Sequence, residues 1–374
     1  MGCRRMAGED LSSAGLAAPA HEPLATGFID RTALADLGRR LADRTEAMDL
    51  DTWSWGEGTC LLGLIRFAEA MGEPFPSRVL RYLDHHVSIG VVVGHVNNLA
   101  PGTAAVLAAR ATGERRYLDL VAPLVDWART APAATRAPNG ALEHWPGAVW
   151  ADTTFMAAVF LGYFGMATGD ADLLAECGRQ LVAHASVLQH PESGLFAHGS
   201  YRGETIWCFW GRGNAWWALA AVEFLELAAV SPAVPTSLVE AVSHVLRRQL
   251  AALAALQPPH GVWDVLVDGQ PETAGVLETS AAAGLGAAML RAGAVVTDLP
   301  DEVTSAAWRA IRGALAYVDG SGTLTRVSAG TVLQLVPFGY SVIRDDRIQP
   351  WGQGLALHAV AAALAALGRG EEIR

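Results

Sequence analysis

Helical periodicity runs through the chain from near its start to near its end. Apolar residues recur at spacings of three and four across most of the 374 residues, and that spacing places them on one face of an α-helix. Glycine and proline interrupt the pattern and divide it into about twelve helices. The expected spans are 30–48, 56–71, 76–89, 100–112, 115–130, 153–168, 171–189, 213–229, 235–256, 276–293, 301–318 and 353–368. The sequence therefore predicts an all-α protein.

Three of these helices end in a similar tetrapeptide, in which alanine and one further residue are followed by glycine and an acid. The tetrapeptides stand at 70–73, 111–114 and 167–170. Glycine closes a helix in the left-handed conformation, and an acid favours the start of the next helix. Repeated helical hairpins of about 40–55 residues bury their apolar faces against one another. Six such hairpins indicate a closed α/α toroid; an open solenoid is the alternative, and it would show more uniform repeats.

The long segments between helices carry much of the sequence's chemistry. They lie at 131–150, 190–211, 257–275 and 319–352, and they hold a large share of the Trp, His, Asp and Gly residues. Within them, 194–199 and 261–264 read as short strands or hairpins. Functional residues are often found on loops held by a rigid scaffold, so we expect a site on the rim that these loops share.

Charge and residue usage exclude several classes of function. The formal net charge is −11, from 27 basic and 38 acidic residues, which argues against binding to nucleic acid or to anionic membranes. Every basic residue is arginine, so Schiff-base catalysis, lysine-bound pyridoxal phosphate and the lysine-containing phosphate loop are excluded. The four cysteines, at 3, 60, 177 and 208, form no CxxC pair. We therefore expect reduced, packed thiols, without a metal site or disulfide framework.

The first residues of the chain and its apolar runs indicate where in the cell the protein is expected. Residues 1–25 lack the apolar core of a signal peptide and are predicted to be a disordered tail before a single domain at 26–374. Apolar runs such as 89–93 and 354–367 are interrupted by polar residues or are too short to cross a bilayer core of ~30 Å. We expect a cytoplasmic protein with no membrane partner.

Tryptophan is abundant, with 12 residues, and it is clustered. Core packing explains many buried tryptophans. Trp53, Trp150, Trp210 and Trp216, however, stand beside Gly, His and Asp in loops, where an aromatic face suits stacking on a sugar ring. Both interpretations stay open for these four residues.

Two polar residues stand where apolar helices begin. Asp152 could cap its helix, or it could act as a general acid or base in a pocket lined by Trp150 and Met156. Arg212 lies between two glycines among aromatic residues, where its guanidinium could bind a carboxylate or could belong to an ordinary helix-entry turn. His144 and His198 are isolated histidines, for which a structural role and a ligand-binding role are both open.

Five sequence blocks together resemble a known family. They are DTWSW at 51–55, WADTTFM at 150–156, GLFAHG at 194–199, WGRGNAW at 210–216 and ETS at 278–280. This combination is similar to glycoside hydrolase families 105 and 88, the unsaturated rhamnogalacturonyl and glucuronyl hydrolases, and the resemblance covers roughly 30–368. It implies an (α/α)6 barrel of six helical hairpins, with long loops and short hairpins on one rim.

The resemblance also implies a reaction that differs from glycoside hydrolysis by two carboxylates. The substrate is a small unsaturated uronyl carbohydrate with a C4=C5 double bond, which the enzyme hydrates so that the aglycone sugar is released. Asp152 would be the catalytic residue, and no metal or cofactor takes part. The substrate-binding residues would be Trp53, Trp55, Asn97, His144, Trp150, Met156, His198, Trp210, Arg212 and Trp216.

One position departs from the family pattern. Members usually carry a second aspartate in a segment resembling Asp-Asn-Leu/Ile-x-Pro-Gly, whereas this chain has Asn97 at that place. A nearby carboxylate would raise the pKa of Asp152 by like-charge repulsion, and Asn97 adds no charge. Glu57 and Glu143 are the candidates for an acid supplied from elsewhere.

The departure at Asn97 leaves other functions open beside an unsaturated uronyl hydrolase. The chain could be a related tailoring enzyme of a specialised pathway that acts on an unsaturated or uronic sugar. It could also be a catalytically weak sugar-binding barrel, although the joint presence of Asp152, Arg212 and His198 argues against this. An (α/α)6 epimerase would depend on paired histidines, and the adjacent pair at 85–86 reads as helix surface and packing.

Overall fold

A computed structural model of the protein describes residues 30–370. All twelve expected helices are present. Their ends lie within three residues of the expected ones, except that the first part of the helix expected at 153–168 is a π-helical turn, Thr154–Ala158. A short thirteenth helix, at Phe338–Ser341, was not anticipated. The helices are α1 (Arg31–Glu46), α2 (Trp55–Met71), α3 (Ser77–Ile89), α4 (Ala100–Thr112), α5 (Arg116–Thr130), α6 (Val159–Thr168), α7 (Ala171–Leu188), α8 (Gly211–Ala229), α9 (Thr236–Ala255), α10 (Thr279–Val295), α11 (Asp301–Leu315), α12 (Phe338–Ser341) and α13 (Pro350–Gly368).

Six helices form a closed inner ring. In ring order α2, α4, α6, α8 and α10 each pack on the next, α10 packs on α13, and α13 packs back on α2. The outer helices α3, α5, α7, α9 and α11 each pack on the inner helix that precedes them, and α1 packs on α13. This closure confirms the predicted (α/α)6 barrel, and the open solenoid is wrong.

The ring closes tightly because the inner helices are rich in small residues. A Cβ added to Gly63 of α2 would lie 2.5 Å from the carbonyl oxygen of Gly354 in α13, a separation that real Cβ atoms do not adopt. Glycine at this crossing therefore lets the two backbones touch. The inner helices are also buried on nearly every side, which explains why their sequences read as apolar runs rather than as one-sided stripes.

The long connections all lie on one face of the barrel. Each connection from an outer helix to the next inner helix is long, whereas the return connections at the opposite face are short. We call the first face the mouth and the second the far face. A two-stranded antiparallel hairpin, β1 (Gly199–Tyr201) and β2 (Glu204–Ile206), lies at the mouth. It begins where the predicted strand 194–199 ends, and the predicted strand 261–264 is reduced to a single bridge from Asp264 to Leu277.

A buried ionic cluster joins four inner helices towards the far face. Glu223 of α8 is fully buried and pairs with Arg66 of α2 at 2.6 Å and with Arg291 of α10 at 2.7 Å. The hydroxyl of Tyr163 in α6 donates a hydrogen bond to the same carboxylate at 2.6 Å. The two guanidinium groups hold the pKa of Glu223 well below its usual value, against the opposing effect of burial. The cluster therefore crosses the interior of the ring.

Helix α13 is long and apolar enough to cross a membrane, but 83% of that apolar window is buried inside the protein. The expectation that the run at 354–367 is too short to cross a bilayer was therefore wrong, because the helix extends to Pro350 and has 19 residues. Cys60, Cys177 and Cys208 are buried free thiols, as predicted. Cys3 and the predicted tail at 1–25 lie outside the described residues.

Candidate active site

Asp152 lies in the first turn of the helical segment that continues into α6. Directly after it, Thr154–Ala158 form a π-helical turn, a distortion that is frequent at functional sites. The Asp152 carboxyl is almost fully buried, and its Oδ2 atom has no hydrogen-bond partner among the described residues. That oxygen therefore does not cap the helix.

Burial sets the protonation state of this carboxyl. Removal from water raises the pKa of Asp152 to about 7, although the backbone N–H of Asp152, the Arg212 guanidinium and the Trp216 indole act in the opposite direction. The desolvation penalty falls on the charged form. Burial thus keeps the acid form of Asp152 present near neutral pH while the carboxylate form stays accessible, which is the condition for giving up and taking back one proton.

His198 and Tyr340 form a hydrogen-bonded pair behind Asp152. The Nε2 atom of His198 lies 3.6 Å from Asp152 Oδ2, and its Nδ1 atom lies 2.7 Å from the Tyr340 hydroxyl oxygen. Burial lowers the pKa of His198 to about 3, so the imidazole is neutral. The Tyr340 hydroxyl also accepts the backbone N–H of Gln334 at 3.4 Å.

Tryptophans and histidines surround the carboxyl. Trp150 stacks on His144 with ring centroids 4.5 Å apart, and Trp210 lies 4.3 Å from His198. Trp216 packs on Phe155 at 5.0 Å beneath the π-helical turn. At the edge of this cluster, Trp55 meets Trp216 edge-on at 6.3 Å and stacks on Trp351 at 4.2 Å.

Several buried polar atoms converge here without a partner inside the protein. They are the indole N–H groups of Trp150 and Trp210, together with His198 Nε2 and Asp152 Oδ2. Buried polar atoms are nearly always hydrogen-bonded, and leaving one unpaired is costly. Donors and acceptors between aromatic faces are the groups that a polyhydroxylated ring can satisfy, so the arrangement suits a sugar.

Arg212 differs from the open carboxylate clamp that its sequence suggested. Its guanidinium is fully buried over the Trp210 ring, with a separation of 4.4 Å, and pairs with the Glu278 carboxylate at 3.1 Å. Its other terminal nitrogen donates to the backbone oxygen of Ala329 at 2.9 Å and to the Thr331 hydroxyl at 3.2 Å. Arg212 therefore ties the start of α8 to the segment that follows residue 328.

The remaining predicted residues surround this cluster at different depths. Trp53 is buried against Tyr82 and donates its indole N–H to the backbone oxygen of Asn98 at 2.7 Å, so its polar atom is already used. Met156 is buried within the π-helical turn. His144 contacts the Thr153 hydroxyl through Nδ1 at 3.1 Å.

Asn97 lies on the 3-10 turn Val96–Asn98, which packs against the π-helical turn after Asp152. The two alternative acids have other partners. Glu57 accepts a hydrogen bond from the Thr52 hydroxyl at 2.7 Å, and Glu143 accepts one from the backbone of Gly147 at 2.8 Å. Neither is among the groups that shift the pKa of Asp152.

Sequence reasoning missed Tyr340 and Trp351. Tyr340 is 142 residues from its partner His198, and it stands in a segment without helical or strand periodicity. Trp351 opens the last helix, where its aromatic ring reads as part of an apolar face. No cluster of three or more His, Cys, Asp or Glu side chains within residues 30–370 could hold a metal ion.

The fold and this mouth-side cluster define a helical-barrel glycoside hydrolase. The chain belongs to glycosyl hydrolase family 88, whose family model matches residues 37–367. It is 30% identical over 337 residues to the unsaturated rhamnogalacturonyl hydrolase YesR of Bacillus subtilis (strain 168), covering 87% of this chain and 93% of the relative. The family and the enzyme class predicted from the sequence are thus confirmed.

Solved structures share the fold. A possible member of family GH105 from Salmonella enterica serovar Paratyphi A has a TM-score of 0.82 at 24% identity, over 97% of this chain and all of the other. The unsaturated glucuronyl hydrolase of Bacillus sp. GL1 has a TM-score of 0.66 at 16% identity, over 91% of this chain and 96% of the other. The barrel is therefore the same in both.

Proposed function

We propose that this hydrolase acts on unsaturated uronyl sugars and hydrates their C4=C5 double bond, which releases the group attached at C1. The observation that carries the proposal is the buried Asp152 carboxyl, whose pKa of about 7 suits it to both halves of a hydration. The family and the curated relative, an unsaturated rhamnogalacturonyl hydrolase, support the substrate class. They do not favour a tailoring enzyme or a weak sugar-binding barrel.

Asp152 acts twice in this mechanism. As an acid it gives its proton to C4, and the positive charge that develops at C5 is shared with the ring oxygen. As a carboxylate it then takes a proton from the water that adds to C5. The resulting hemiketal opens, and the C1 substituent leaves as an alcohol. Every proton is accounted for by Asp152 and one water molecule.

The surrounding residues bind the sugar and orient the Asp152 carboxyl. The indole N–H groups of Trp150 and Trp210 donate to sugar oxygens, while the Trp216 indole interacts with the Asp152 carboxyl. The rings of all three exclude water. The neutral His198 orients the Asp152 carboxyl. Trp55 and His144 extend the aromatic wall, while Trp53 and Met156 support it from the core.

Asn97 and Arg212 take modified roles. Asn97 can hydrogen-bond a sugar hydroxyl without adding charge. A second carboxylate at position 97 is not required to raise the pKa of Asp152, because burial already raises it. Arg212 positions the segment at Ala329–Thr331 and supplies positive charge from behind Trp210, while Glu278 compensates that charge.

The test is a comparison of two disaccharides that differ only at the double bond. An unsaturated uronyl-rhamnose disaccharide should lose the ultraviolet absorbance of its conjugated enol ether when the protein is added, and free rhamnose should appear. Its saturated counterpart should be untouched. Cleavage of the saturated sugar at a similar rate, or an unchanged absorbance of the unsaturated one, would overturn the proposal.

Four expectations from the sequence stay predictions: a single catalytic domain at 26–374, the tail at 1–25, a cytoplasmic location, and the absence of nucleic-acid and membrane partners. A small carbohydrate is the proposed partner. The chemical nature of the aglycone depends on the residues at the mouth of the barrel.

A further inference from the structure

One loop covers the mouth beside Asp152. This mouth loop, residues 329–344, is closed at its base by a hydrogen bond from the Ala329 N–H to the Arg344 carbonyl at 2.8 Å. Arg212 binds its first residues, and Tyr340 reaches from its far part to His198. Both contacts join it to the site, so the loop has a defined place over the entrance.

The outer surface of the mouth loop is apolar. Five of its large hydrophobic side chains are 56% to 69% exposed, and no charged residue occurs between Ala329 and Ile343. The Gln334 side chain donates to the carbonyl of Val332 inside the loop, so this amide is partly engaged. The exposed side chains are Val332, Leu335, Val336, Phe338 and Val342. Isolated exposed hydrophobic residues are ordinary, whereas a contiguous group of them marks a binding surface.

The reaction determines which part of the substrate meets this surface. The uronyl ring must lie against the buried Asp152 carboxyl, so its C1 substituent is the part that extends outwards through the mouth. Tyr340 links the two regions, because it contacts His198 inside while its neighbours Phe338 and Val342 face outwards. A substituent at C1 that leaves the site on the His198 side would therefore meet the side chains of the mouth loop.

We propose that the mouth loop is an aglycone site and that it accepts an apolar group, of alkyl or aryl character, at C1 of the uronyl sugar. A strongly polar sugar would find few hydrogen-bonding groups on this loop. The inference rests on the proposed function and specifies its substrate.

The experiment compares the methyl and hexyl glycosides of one unsaturated uronic acid. Both release a primary alcohol, so the chemistry at C1 is the same and only the apolar length differs. Each methylene removed from water is worth about a fourfold change in affinity. We expect kcat/KM for the hexyl glycoside to exceed that for the methyl glycoside by at least ~10-fold, which needs the burial of only about two methylenes.

The double variant Leu335→Ser, Phe338→Ser should bring the hexyl-to-methyl ratio close to one. The control is Val230→Ser, which changes a valine of similar exposure (76%) in the turn between α8 and α9 at the far face. This control should keep the wild-type ratio and both rates. Circular dichroism of each variant checks that the barrel is folded.

The possible outcomes separate the two proposals. A ratio near one in the wild type, with the methyl glycoside hydrolysed, overturns the aglycone site and leaves the hydrolase function standing. If neither glycoside is hydrolysed while the unsaturated disaccharide is, the aglycone site alone is overturned; if the disaccharide is also untouched, both proposals are overturned. A ratio that stays high in the double variant moves the site elsewhere. Dissociation of a dimer by the double variant, without a change of ratio, assigns the surface to a second copy of the chain.

Discussion

At the scale of the residue, the position of Asp152 decides the chemistry. Its first role requires the acid, and burial keeps the acid present up to about pH 7. Above that pKa the carboxyl loses its proton, so the rate of C4 protonation should fall about tenfold for each further pH unit. The dependence of kcat/KM on pH, measured with an unsaturated disaccharide, reports the free enzyme and measures this basic limb.

Asp152→Asn should reduce kcat by at least ~10²–10⁴-fold, the usual scale for a positioned acid or base. The change is nearly isosteric and removes a buried ionisable group, so the melting temperature should not fall by more than a few degrees. Thermal unfolding and steady-state kinetics on the same preparation give both numbers. Full turnover by this variant would remove Asp152 from the reaction.

Tyr340 should act on the reaction through His198. Its oxygen already accepts the Gln334 N–H, so its own proton is free to be donated to His198 Nδ1, which places the imidazole proton on Nε2, facing Asp152. That N–H favours the carboxylate form. Tyr340→Phe should therefore raise the pKa of Asp152 and move the basic limb of the profile to higher pH.

The control for Tyr340→Phe is Tyr201→Phe, in the exposed hairpin. It should leave the profile in place. A purely structural role for Tyr340 would lower the rate at every pH without moving the limb, and that result would contradict the positioning role.

Asn97→Asp tests the departure from the family pattern. The turn that carries Asn97 packs on the turn after Asp152, so an added carboxylate would oppose ionisation of Asp152. The basic limb should shift to higher pH, and the rate near neutrality should rise. An identical pH–rate profile in the variant would show that residue 97 has no electrostatic interaction with Asp152.

Single residues were predictable where they stand in short, dense blocks. Asp152, Trp150 and His198 come from such blocks, and the structure brings them together. The Arg212–Glu278 pair and Tyr340 were not predictable, because no local pattern encodes which distant side chain fills a buried position. Trp53 shows the converse, since its indole N–H is used by the backbone although its sequence context is typical of a site.

At the scale of the element, the close crossing of α2 and α13 depends on glycine. Gly63→Ala would place a Cβ 2.5 Å from the Gly354 carbonyl oxygen, so the two helices would have to separate. Overpacking of this kind costs about 1–3 kcal/mol. Urea unfolding should show that loss.

The comparison for Gly63→Ala is Gly293→Ala, in α10, where an added Cβ meets nothing within 4 Å. Alanine is the better helix former by about 0.5–1 kcal/mol, so this variant should be neutral or more stable. Equal losses in both variants would mean that the crossing of α2 and α13 tolerates separation.

Helices were predictable nearly to their ends because periodicity, glycine and proline act locally. Strands were less predictable. Residues 194–199 and 261–264 have strand-like composition, but most of them form only isolated β-bridges. Continuous strand pairing begins at Gly199. The four-residue helix α12 is too short to leave a periodic signal.

At the scale of the whole molecule, the ionic cluster around Glu223 holds the ring together. Glu223→Gln would leave the guanidinium groups of Arg66 and Arg291 without their shared buried carboxylate. Breaking a buried ion pair on one side typically costs about 3–5 kcal/mol. Denaturant unfolding at neutral pH should show this loss, while the remaining folded protein keeps its activity.

Glu226→Gln is the matched control, because Glu226 pairs with the same Arg291 from a partly exposed position, at 2.7 Å. It should cost no more than about 1 kcal/mol. Since the pKa of Glu223 is lowered on folding, its contribution is complete above the unfolded value of 4.5 and declines as the pH falls below it. A free energy of unfolding that stays constant between pH 7 and pH 3 would contradict this role of the Glu223 carboxylate.

The ionic cluster also has a kinetic consequence. It lies across the barrel interior towards the far face, whereas Asp152 and every long connection lie at the mouth, so substrate and both products share one route. The released alcohol must leave past the mouth loop before another molecule can enter. A tightly held aglycone would therefore behave as a competitive inhibitor of its own formation, and turnover would be limited by departure rather than by proton transfer.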